Sequence, residues 1–383
     1  MFSADDHRYM ARALQLARLG MTSTAPNPRV GCVVVSDGQV AGEGWHVRAG
    51  TPHAERHALA MAGERARGAT AYVTLEPCSH FGRTPPCADA LLQAGVGRVV
   101  AAMVDPNPLV AGQGMTRLAA AGIECASGLL EAEARELNRG FVSRMTRGRP
   151  WLTVKLGISL DGKTALADGQ SQWITGAQAR ADVMRQRACH DVILTGSGTV
   201  RADNPQLTVR NLVPDVLPPA LQDTPAGRLQ AASPVRQPLR VIVDGAGTLD
   251  PGAAIFCGAP VRMYTAATTP ASGRLHGHTV VSLPGADRRV DLAALLADLG
   301  RLGVNDVWCE AGMGLAGTLL HAGLVDELVC YMAPVVLGHS ARGMFDLPPL
   351  AALADKSCWR WHDVRLVGND LRLTLRPGSQ AGD

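Results

Sequence analysis

The chain has 383 residues, 46% of them hydrophobic and 19% charged, which is typical of a globular protein of about two domains. The formal net charge is only +3, so the composition gives no indication of nucleic-acid binding. The first residues lack the apolar core of a signal peptide, no run of about 18 apolar residues predicts a membrane span, and nine irregularly spaced cysteines argue against a secreted disulfide framework and favour a reducing cytoplasm.

The first half of the chain alternates helical and strand patterns. Asp37-Gly38 is a hairpin signal between two apolar runs. The predicted elements, in chain order, are helix 4–19, strands 30–36 and 39–46, helix 54–66, strand 70–75, helix 88–94, strand 97–104, helix 114–121, strand 123–126 and helix 130–145. This alternation predicts a layered α/β domain.

One histidine, one carboxylate and two cysteines form the most informative cluster. His53 and Glu55 stand at the start of a predicted helix, and Cys78 and Cys87 follow downstream. One imidazole and two thiolates fill three positions of a tetrahedral zinc site and leave the fourth for water, beside which Glu55 could move protons. The order follows the H-x-E…P-C-x-x-C signature of zinc deaminases, except that eight residues separate the cysteines.

Two other histidines leave alternatives open at this cluster. A structural zinc site normally has four protein ligands, and His80 could supply the fourth. His57 lies one helical turn after His53 and could compete as a ligand. The remaining seven cysteines lie mostly in apolar runs and are interpreted as core residues: Cys32, Cys125, Cys189, Cys257, Cys309, Cys330 and Cys358.

The second half begins after a basic, turn-forming stretch at 146–150. Its prolines and glycines predict a polar loop at 168–176, a glycine-rich loop at 196–205 and an irregular excursion at 211–238 that carries no recognisable motif. The predicted regular elements are strand 151–158, helix 177–189, strands 191–195, 239–243, 261–265 and 279–282, helix 291–301, strand 304–310, and two long closing strands, 327–337 and 362–375, as an antiparallel pair.

Two glycine-rich segments in this half could approach a phosphate. For the first, Gly196-Ser-Gly-Thr199, the spacing alone favours an ordinary tight turn over a phosphate loop. The second, Gly312–Gly317, has the G-x-G-x-x-G pattern between a strand and a helix, which favours a phosphate on the helix N-terminus. Its late position in the domain argues against a Rossmann fold.

The first half resembles the deaminase half of the bifunctional deaminase–reductase family of riboflavin biosynthesis. The resemblance lies in Ala25-Pro-Asn-Pro-Arg-Val-Gly31, Gly44-Trp-His46, His53-Ala-Glu55 and Glu76-Pro-Cys-Ser-His-Phe-Gly-Arg-Thr-Pro-Pro-Cys87, and the long gap between the cysteines is typical of this family. It implies that Asn27, His46, His80 and Arg83 shape the pyrimidine and phosphate pocket. Asn27 could instead be a turn residue, and Arg83 a solvated loop charge.

The second half resembles the reductase half of the same family, which has a dihydrofolate-reductase-like fold and uses NADPH. The matching segments are 155–162, 171–175, 196–199, 203–210 and 310–314. The resemblance places the dinucleotide along Gly157, Trp173, Thr199, Asp203, Gly245, Gly312, Met313, Gly314, Leu315, Ala316, Gly317 and Thr318. It places the phosphorylated substrate near Ser171, Arg187, Leu207, Arg210 and Glu310, where guanidinium forks suit a phosphate. Arg187 could instead be a surface charge of its helix. Lys155 and Asp203 are candidates for orienting the substrate or delivering a proton.

The resemblance covers nearly the whole chain and implies two activities. A cytidine-deaminase-like three-layer domain at 1–146 would deaminate 2,5-diamino-6-ribosylamino-4(3H)-pyrimidinone 5′-phosphate with one zinc ion. A domain at 150–383 would then reduce the ribosyl group to ribityl with NADPH. The family implies a homo-oligomer, dimer or tetramer, in the cytoplasm. Three alternatives stay open. The first is a nucleic-acid deaminase with a binding module, which the charge opposes, and the second is a non-catalytic zinc-stabilised scaffold. The third is a chain in which one half has lost its activity, which the motif residues present in both halves argue against.

Overall fold

The computed structural model describes residues 1–79, 85–108, 110–212, 216–268 and 275–378. The chain folds into two compact units, Met1–Gly148 with Val213–Arg236 and Arg149–Leu212 with Gln237–Asp383. The division near residue 148 lies where the basic stretch suggested it. The sequence predicts a second domain that is continuous from 150 to 383. The irregular excursion predicted at 211–238 interrupts it, because the described residues of that segment pack with the first unit.

The first unit is a five-stranded sheet with helices. Its strands run in the order β2-β1-β3-β4-β5; β1 is antiparallel to β2 and β3, and β3, β4 and β5 are parallel. The strands are β1 (Gly31–Ser36), β2 (Gln39–Trp45), β3 (Thr70–Val73), β4 (Arg98–Ala101) and β5 (Glu124–Ser127). The helices are α1 (Ala4–Arg18), α2 (Ala54–Ala62), α3 (Cys87–Ala94), α4 (Gln113–Ala120), α5 (Glu131–Leu137) and α6 (Arg139–Arg147).

Local sequence explains much of this unit. Ser3 and Asp6 form a capping box at the start of α1. Asp37 and Gly38 both have positive φ, at 50° and 71°, as the predicted two-residue hairpin requires. The single helix predicted at 130–145 is instead two helices. Asn138 separates them, because its buried amide accepts from the Arg29 N–H and donates to the Arg29 carbonyl.

Glycines on the first two strands let the helices lie directly on the sheet. A Cβ at Gly31 would stand 2.0 Å from the Ala13 carbonyl oxygen, and one at Gly42 would stand 2.1 Å from the Ala58 carbonyl oxygen. Only glycine leaves room for α1 and α2 at this distance. The close contact holds the start of α2, and with it His53 and Glu55, at a defined place over β2.

The second unit contains a nine-stranded sheet in the order β11-β10-β9-β8-β12-β6-β13-β16-β15, parallel from β11 to β13, with β16 antiparallel to both of its neighbours. A separate pair joins β7 and β14. From residue 151 onward the strands are β6 (Trp151–Ile158), β7 (Lys163–Ala165), β8 (Val192–Gly196), β9 (Leu239–Val243), β10 (Val261–Thr265), β11 (Thr279–Ser282), β12 (Asp306–Glu310), β13 (Glu327–Met332), β14 (Arg342–Gly343), β15 (Trp359–Val367) and β16 (Asp370–Pro377). The helices are α7 (Ala177–Cys189), α8 (Ser197–Asp203), α9 (Pro219–Gln222), α10 (Pro225–Ala231), α11 (Leu292–Arg301) and α12 (Met313–His321), of which α9 and α10 belong to the first unit.

Four predicted segments differ from the structure. The glycine-rich loop at 196–205 is largely helix α8, because Val200 is buried and tertiary packing outweighs the low helix propensity of glycine. The irregular excursion contains α9 and α10, whose apolar side chains Leu221 and Ala226 enter the core of the first unit. The strand predicted at 327–337 ends at Met332. The strand predicted at 362–375 is the hairpin of β15 and β16, turning at Gly368, where φ is 66°.

Burial agrees only partly with the interpretation of the seven remaining cysteines. Cys32, Cys309 and Cys330 are buried, whereas Cys257 is exposed and the other three are half-buried. The part of the chain that the structure describes contains no helix with the length and apolar character needed to cross a bilayer.

Candidate functional sites in the two units

The predicted zinc ligands converge where α2 and α3 begin. His53 is the N-cap residue of α2, Cys87 is the first residue of α3, and Cys78 lies in the connection after β3. The His53 Nδ1 atom is 3.2 Å from the Cys87 Sγ and 3.7 Å from the Cys78 Sγ. All three ligand atoms lie within 4.8 Å of one another. Residues 34 positions apart in sequence are thus brought to the spacing of a metal-ligand set.

The chemistry of these donors fits zinc. One imidazole nitrogen and two sulfurs match the three-ligand sets of catalytic zinc sites, which keep a fourth position open. A hydrogen bond from the Cys87 thiol lowers the pKa of Cys78 to about 4, against the opposing effect of burial, and the pKa of Cys87 is raised in turn. One thiol therefore ionises readily, and a thiolate is the form that binds metal.

Glu55 points into this cluster from the first turn of α2. Its side chain is buried, and burial raises its pKa while the charge of His53 opposes the rise. The Oε2 atom has no hydrogen-bond partner among the described residues. A buried carboxylate oxygen without a partner is costly unless something at the site uses it. This arrangement suits a group that holds and releases a proton beside the ligand atoms.

Asn27 and His46, predicted from the resemblance, form a hydrogen-bonded pair next to the cluster. The His46 Nδ1 lies 3.2 Å from the Pro52 carbonyl, so it must donate, and Nε2 therefore accepts from the Asn27 amide at 3.0 Å. Burial lowers the pKa of His46 to about 4, and its ring meets the His53 ring edge-on at a centroid distance of 5.2 Å. His46 is accordingly neutral at pH 7. Asn27 belongs to a turn, through its N–H bond to the Thr24 carbonyl, and its side chain also contacts His46.

The alternatives at this site have different outcomes. His57 is not part of the converging group, and its buried Nε2 has no partner among the described residues. His80 and Arg83 lie outside the described residues. The role of His80 as a fourth ligand and that of Arg83 at a phosphate therefore stay predictions.

The second unit has a cavity of about 1900 Å³ above the carboxyl ends of its parallel strands. Ligand cavities usually measure about 300–1000 Å³, so this one has room for two molecules. Most residues predicted for the dinucleotide and the substrate line it: Lys155, Gly157, Ser171, Trp173, Arg187, Thr199, Asp203, Leu207, Arg210, Gly245, Glu310, Gly312, Met313, Gly314, Leu315 and Thr318.

Ala316 and Gly317 depart from the predicted cofactor loop. Ala316 is buried in the core of the second unit, and a Cβ at Gly317 would stand 2.2 Å from the Asp346 carbonyl oxygen. These residues pack α12 against its neighbour, whereas Gly312 and Gly314 have open space on the Cβ side. Two of the three glycines in the motif therefore leave the N-terminus of α12 accessible, as contact with a phosphate requires.

A buried ion pair occupies the cavity floor. Arg187, on α7, donates from Nε to the Glu310 Oε1 at 2.5 Å and from Nη2 to Oε2 at 2.9 Å. Burial raises the pKa of Glu310, but the charge and hydrogen bonds of Arg187 outweigh the effect of burial and lower this pKa to about 2. Arg187 is thus neither a surface charge nor a free fork for a phosphate, which corrects the expectation that both arginines are available. Arg210 is exposed and has no carboxylate partner among the described residues.

Lys155 stands beside this pair. It is the register partner of Glu310 on the neighbouring parallel strand, and its Nζ lies 6.0 Å from the centre of the Tyr331 ring. Burial lowers its pKa, although the charge of Glu310 opposes the shift. Asp203 lines the same cavity at the end of α8, and burial raises its pKa. Both candidates for proton delivery have pKa values shifted in the direction that eases a change of charge.

Residues that sequence reasoning missed lie at both ends of the cavity. Arg180 stacks over the exposed Trp173 ring at 4.7 Å. Arg288 and Arg289 line the cavity near Gly245 and have no carboxylate partner in the described part of the chain. For Arg288 and Arg289 the only signal in the sequence is the Arg-Arg dipeptide, which a solvent-exposed turn would show equally.

Comparison with known proteins covers both units. Residues 3–103 match the cytidine and deoxycytidylate deaminase zinc-binding region, and residues 150–370 match the RibD C-terminal domain. The chain is 52% identical to the riboflavin biosynthesis protein RibD of Escherichia coli over 97% of this chain and 99% of the relative. It is 46% identical to that of Haemophilus influenzae over 98% of each chain.

Solved structures agree over the same length. Acinetobacter baumannii RibD is 43% identical, with a TM-score of 0.88 over 98% of this chain and 99% of that one. The diaminohydroxyphosphoribosylaminopyrimidine deaminase/5-amino-6-(5-phosphoribosylamino)uracil reductase of Thermotoga maritima is 31% identical, with a TM-score of 0.81 and coverages of 98% and 99%. The predicted fold class, a deaminase-like domain followed by a reductase domain, is confirmed. The chain belongs to the RibD family of riboflavin biosynthesis and is a bifunctional enzyme, with a zinc-binding deaminase domain and a reductase domain.

Proposed function

We propose that the first unit hydrolytically deaminates 2,5-diamino-6-ribosylamino-4(3H)-pyrimidinone 5′-phosphate and that the second reduces the ribosyl group of the product to ribityl with NADPH. The final product is 5-amino-6-ribitylamino-uracil 5′-phosphate. The convergence of His53, Cys78 and Cys87 beside the buried Glu55 carries the proposal. The name of the Thermotoga maritima relative, which specifies this deaminase and this reductase, supports the choice of substrate.

In the deaminase step the chain supplies ligands and a proton carrier. His53, Cys78 and Cys87 would hold one zinc ion, which supplies an activated water at neutral pH when it is bound. Water adds to the ring carbon that bears the exocyclic amine, and ammonia leaves. Glu55 takes a proton from the attacking water and passes it to the adjacent ring nitrogen. It then carries the proton of the newly formed hydroxyl to the departing nitrogen, so that a carbonyl remains and ammonia leaves. Asn27 and the neutral His46 position the pyrimidine, with His80 and Arg83 as further candidates.

In the reductase step the cavity of the second unit orients two molecules. A bound nicotinamide would supply the hydride for the opened sugar carbon, and the residues of the cavity would align the two molecules and provide a proton. Lys155 and Asp203 are the candidates for proton delivery, since both line the cavity and carry shifted pKa values. The exposed Arg210 suits the substrate phosphate, together with Ser171 and Leu207. The Arg187–Glu310 pair forms the floor beneath the substrate.

The choice of NADPH over NADH rests on the order of the strands. We place the nicotinamide end at Gly157 on β6, next to the candidate proton donor Lys155, and the pyrophosphate at the start of α12, which follows β12. The adenosine half then extends over β8 and β9 towards β10, four strand spacings from β6, or about 19 Å. Arg288 and Arg289 line the cavity at that end, where two guanidinium groups suit the 2′-phosphate of NADPH.

Binding of adenosine 2′,5′-bisphosphate tests this choice directly. The double variant Arg288→Asn, Arg289→Ser is expected to weaken that binding about 10- to 100-fold, because charge-assisted hydrogen bonds are lost, and to leave 5′-AMP binding unchanged. Asparagine is chosen at position 288 because φ is 57° there, a left-handed conformation that asparagine tolerates better than most residues. Arg301→Asn, an exposed arginine on the same unit, is the control. Equal losses for both nucleotides would contradict the assignment of these arginines to the 2′-phosphate.

The homo-oligomer is supported by an apolar face on the second unit, formed by Trp361, Val364 and Leu366 of β15. They are exposed by 65%, 53% and 72%, and all belong to the last strand at one edge of the sheet. Contiguous exposed apolar side chains usually mark an interface. A second copy is the occupant we propose, since a two-fold axis brings an apolar patch against its own copy. The thiolate ligands favour a reducing compartment, the cytoplasm.

One assay tests the proposed function as a whole. The zinc-loaded protein is given the diaminopyrimidine substrate with NADPH, while ammonia and the nicotinamide absorbance are followed together. Wild type is expected to release ammonia and then consume NADPH. Glu55→Gln is expected to keep its zinc and lose at least about 100-fold in ammonia release, because the proton carrier is gone. It should still consume NADPH with the deaminated intermediate. Full ammonia release by zinc-loaded Glu55→Gln would overturn the role of Glu55.

A further inference from the structure

The Glu76 carboxylate accepts hydrogen bonds from four backbone amides next to the zinc ligands. It follows β3 directly before Pro77 and Cys78, and it is buried. Its Oε2 accepts from the Asp105 N–H at 3.0 Å and the Gly112 N–H at 2.9 Å. Its Oε1 accepts from the Gly114 N–H at 2.8 Å and the Met115 N–H at 3.3 Å. The proposed function leaves this carboxylate without a task.

These bonds attach the Cys78 turn to the start of α4. Gly114 and Met115 are in the first turn of α4, where backbone N–H groups and the helix dipole favour a carboxylate. Gly114 also touches the turn itself, since a Cβ there would stand 1.9 Å from the Pro77 carbonyl oxygen. Charge-assisted hydrogen bonds to backbone amides are about twice as strong as neutral ones.

The same helix braces the second thiol. α4 packs against α3, which begins at Cys87, and Arg117 on α4 pairs with Asp89 on α3 at 2.6 Å. Two hydrogen bonds from backbone N–H groups join the segments that carry the thiols. The Cys87 N–H donates to the Cys78 Sγ at 3.3 Å, and the Ala88 N–H donates to the Cys78 carbonyl at 3.1 Å. Contacts with α4 therefore fix the positions of both cysteines.

We propose that Glu76 is a positioning residue, which sets the separation of the Cys78 and Cys87 sulfurs by holding the Cys78 turn on α4 while α4 braces α3. The proposal rests on the zinc site of the proposed function. Metal ligands must be held within a few tenths of an ångström of their preferred geometry. A set of sulfurs assembled in advance binds the ion without first having to order the turn.

Metal affinity and the spectrum of a substituted ion test the proposal in the full-length protein. In Glu76→Gln one side-chain oxygen remains, but the amide N–H₂ replaces the other oxygen and faces two backbone N–H groups. We expect this variant to bind zinc about 10- to 100-fold more weakly, as measured by competition with a chromogenic chelator. With Co²⁺ in place of zinc, the visible bands of tetrahedral coordination should lose intensity. Reductase turnover, which belongs to the other unit, should not change. Glu124→Gln, an exposed carboxylate of the first unit, is the control.

A second variant keeps the test decisive if Glu76→Gln folds poorly. Arg117→Gln removes only the half-exposed pair between α3 and α4 and is expected to weaken zinc binding up to about fivefold. Unchanged zinc affinity and an unchanged Co²⁺ spectrum in a destabilised Glu76→Gln protein would show a merely structural role and overturn the proposal. If wild type itself binds no zinc, the proposed function fails first, and the two failures are therefore distinguishable.

Discussion

The ion pair with Glu310 changes the interpretation of Arg187 from a phosphate ligand to a buried structural residue. The arginine is only 7% exposed, and besides the fork on Glu310 it donates from Nη1 to the Thr208 carbonyl at 3.0 Å. The Trp308 indole N–H also donates to the Glu310 Oε1, at 3.0 Å. Every oxygen of this buried carboxylate therefore has a partner, which is the condition for keeping a charge in the interior.

Acid should weaken the second unit through this carboxylate. Burial raises the pKa of Glu310, and Arg187 more than offsets it, so the folded-state pKa of about 2 lies below the ordinary 4.5. The stabilisation is then fully present above pH 4.5 and is lost as the pH falls towards 2, on the order of 3 kcal/mol in all. The free energy of unfolding of wild type and of Glu310→Gln, measured by chemical denaturation from pH 6 to 2.5, should converge as the pH falls. A difference independent of pH would contradict this.

At the scale of elements, the segment that contains α9 and α10 is the clearest departure from chain order. It leaves the second unit after Leu212 and returns at Gln237. Leu217, Leu221 and Ala226 join the core of the first unit, and α10 packs against α2 and β2. The indole N–H of the fully buried Trp45 donates to the Gln230 Oε1 at 2.6 Å. The excursion is thus part of the framework that supports α2.

Removing this acceptor should loosen the first unit selectively. In Gln230→Ala the Trp45 indole N–H is left buried without a partner, at a cost of about 1–3 kcal/mol. Hydrogen exchange of β2 and α2 in the full chain is expected to accelerate, while β6 and β12 keep their protection. Gln15→Ala, an exposed glutamine of the first unit, is the matched control. Equal acceleration in both units would show that the loss is global and refute the placement of this contact.

At the scale of the whole molecule, the proposed assembly uses the end of the nine-stranded sheet, formed by β16 and β15. On one face of the hairpin, Trp361, Val364 and Leu366 on β15 stand opposite Leu375, Leu373 and Leu371 on β16. The opposite face carries Asp363 and Arg372, which pair with each other at 3.6 Å. The sheet therefore ends in one polar and one apolar face, and the apolar one has its outermost side chains in water.

Leu366→Glu should shift the assembly towards monomers, since a carboxylate would be buried against its own copy across a two-fold axis. Sedimentation velocity at several protein concentrations measures the shift. Arg360→Glu, which changes a neighbouring exposed residue of the same strand, is the control for charge alone. An assembly size unchanged by Leu366→Glu would exclude this face as the interface.

Patterns along the chain predicted the strands and helices wherever apolar periodicity was strong. They failed where tertiary contacts outweigh local preference. The glycine-rich stretch at 197–203 is helical because Val200 is buried. The described residues of the proline-rich excursion include two helices because their leucines enter a core formed by residues more than 70 positions away. Local propensity carries no information about such distant partners.

The sequence by itself determined the family and the zinc-ligand types, because a motif is a statement about residue identity and spacing. It also placed His53 and Glu55 at a helix start, since the helical pattern begins there. Only the tertiary structure decided that Arg187 is engaged by Glu310, that α9 and α10 pack beside α2, and that Glu76 binds the first turn of α4. Each of these depends on a contact between residues far apart in the chain, and such contacts exist only once the packed core has fixed where the elements lie.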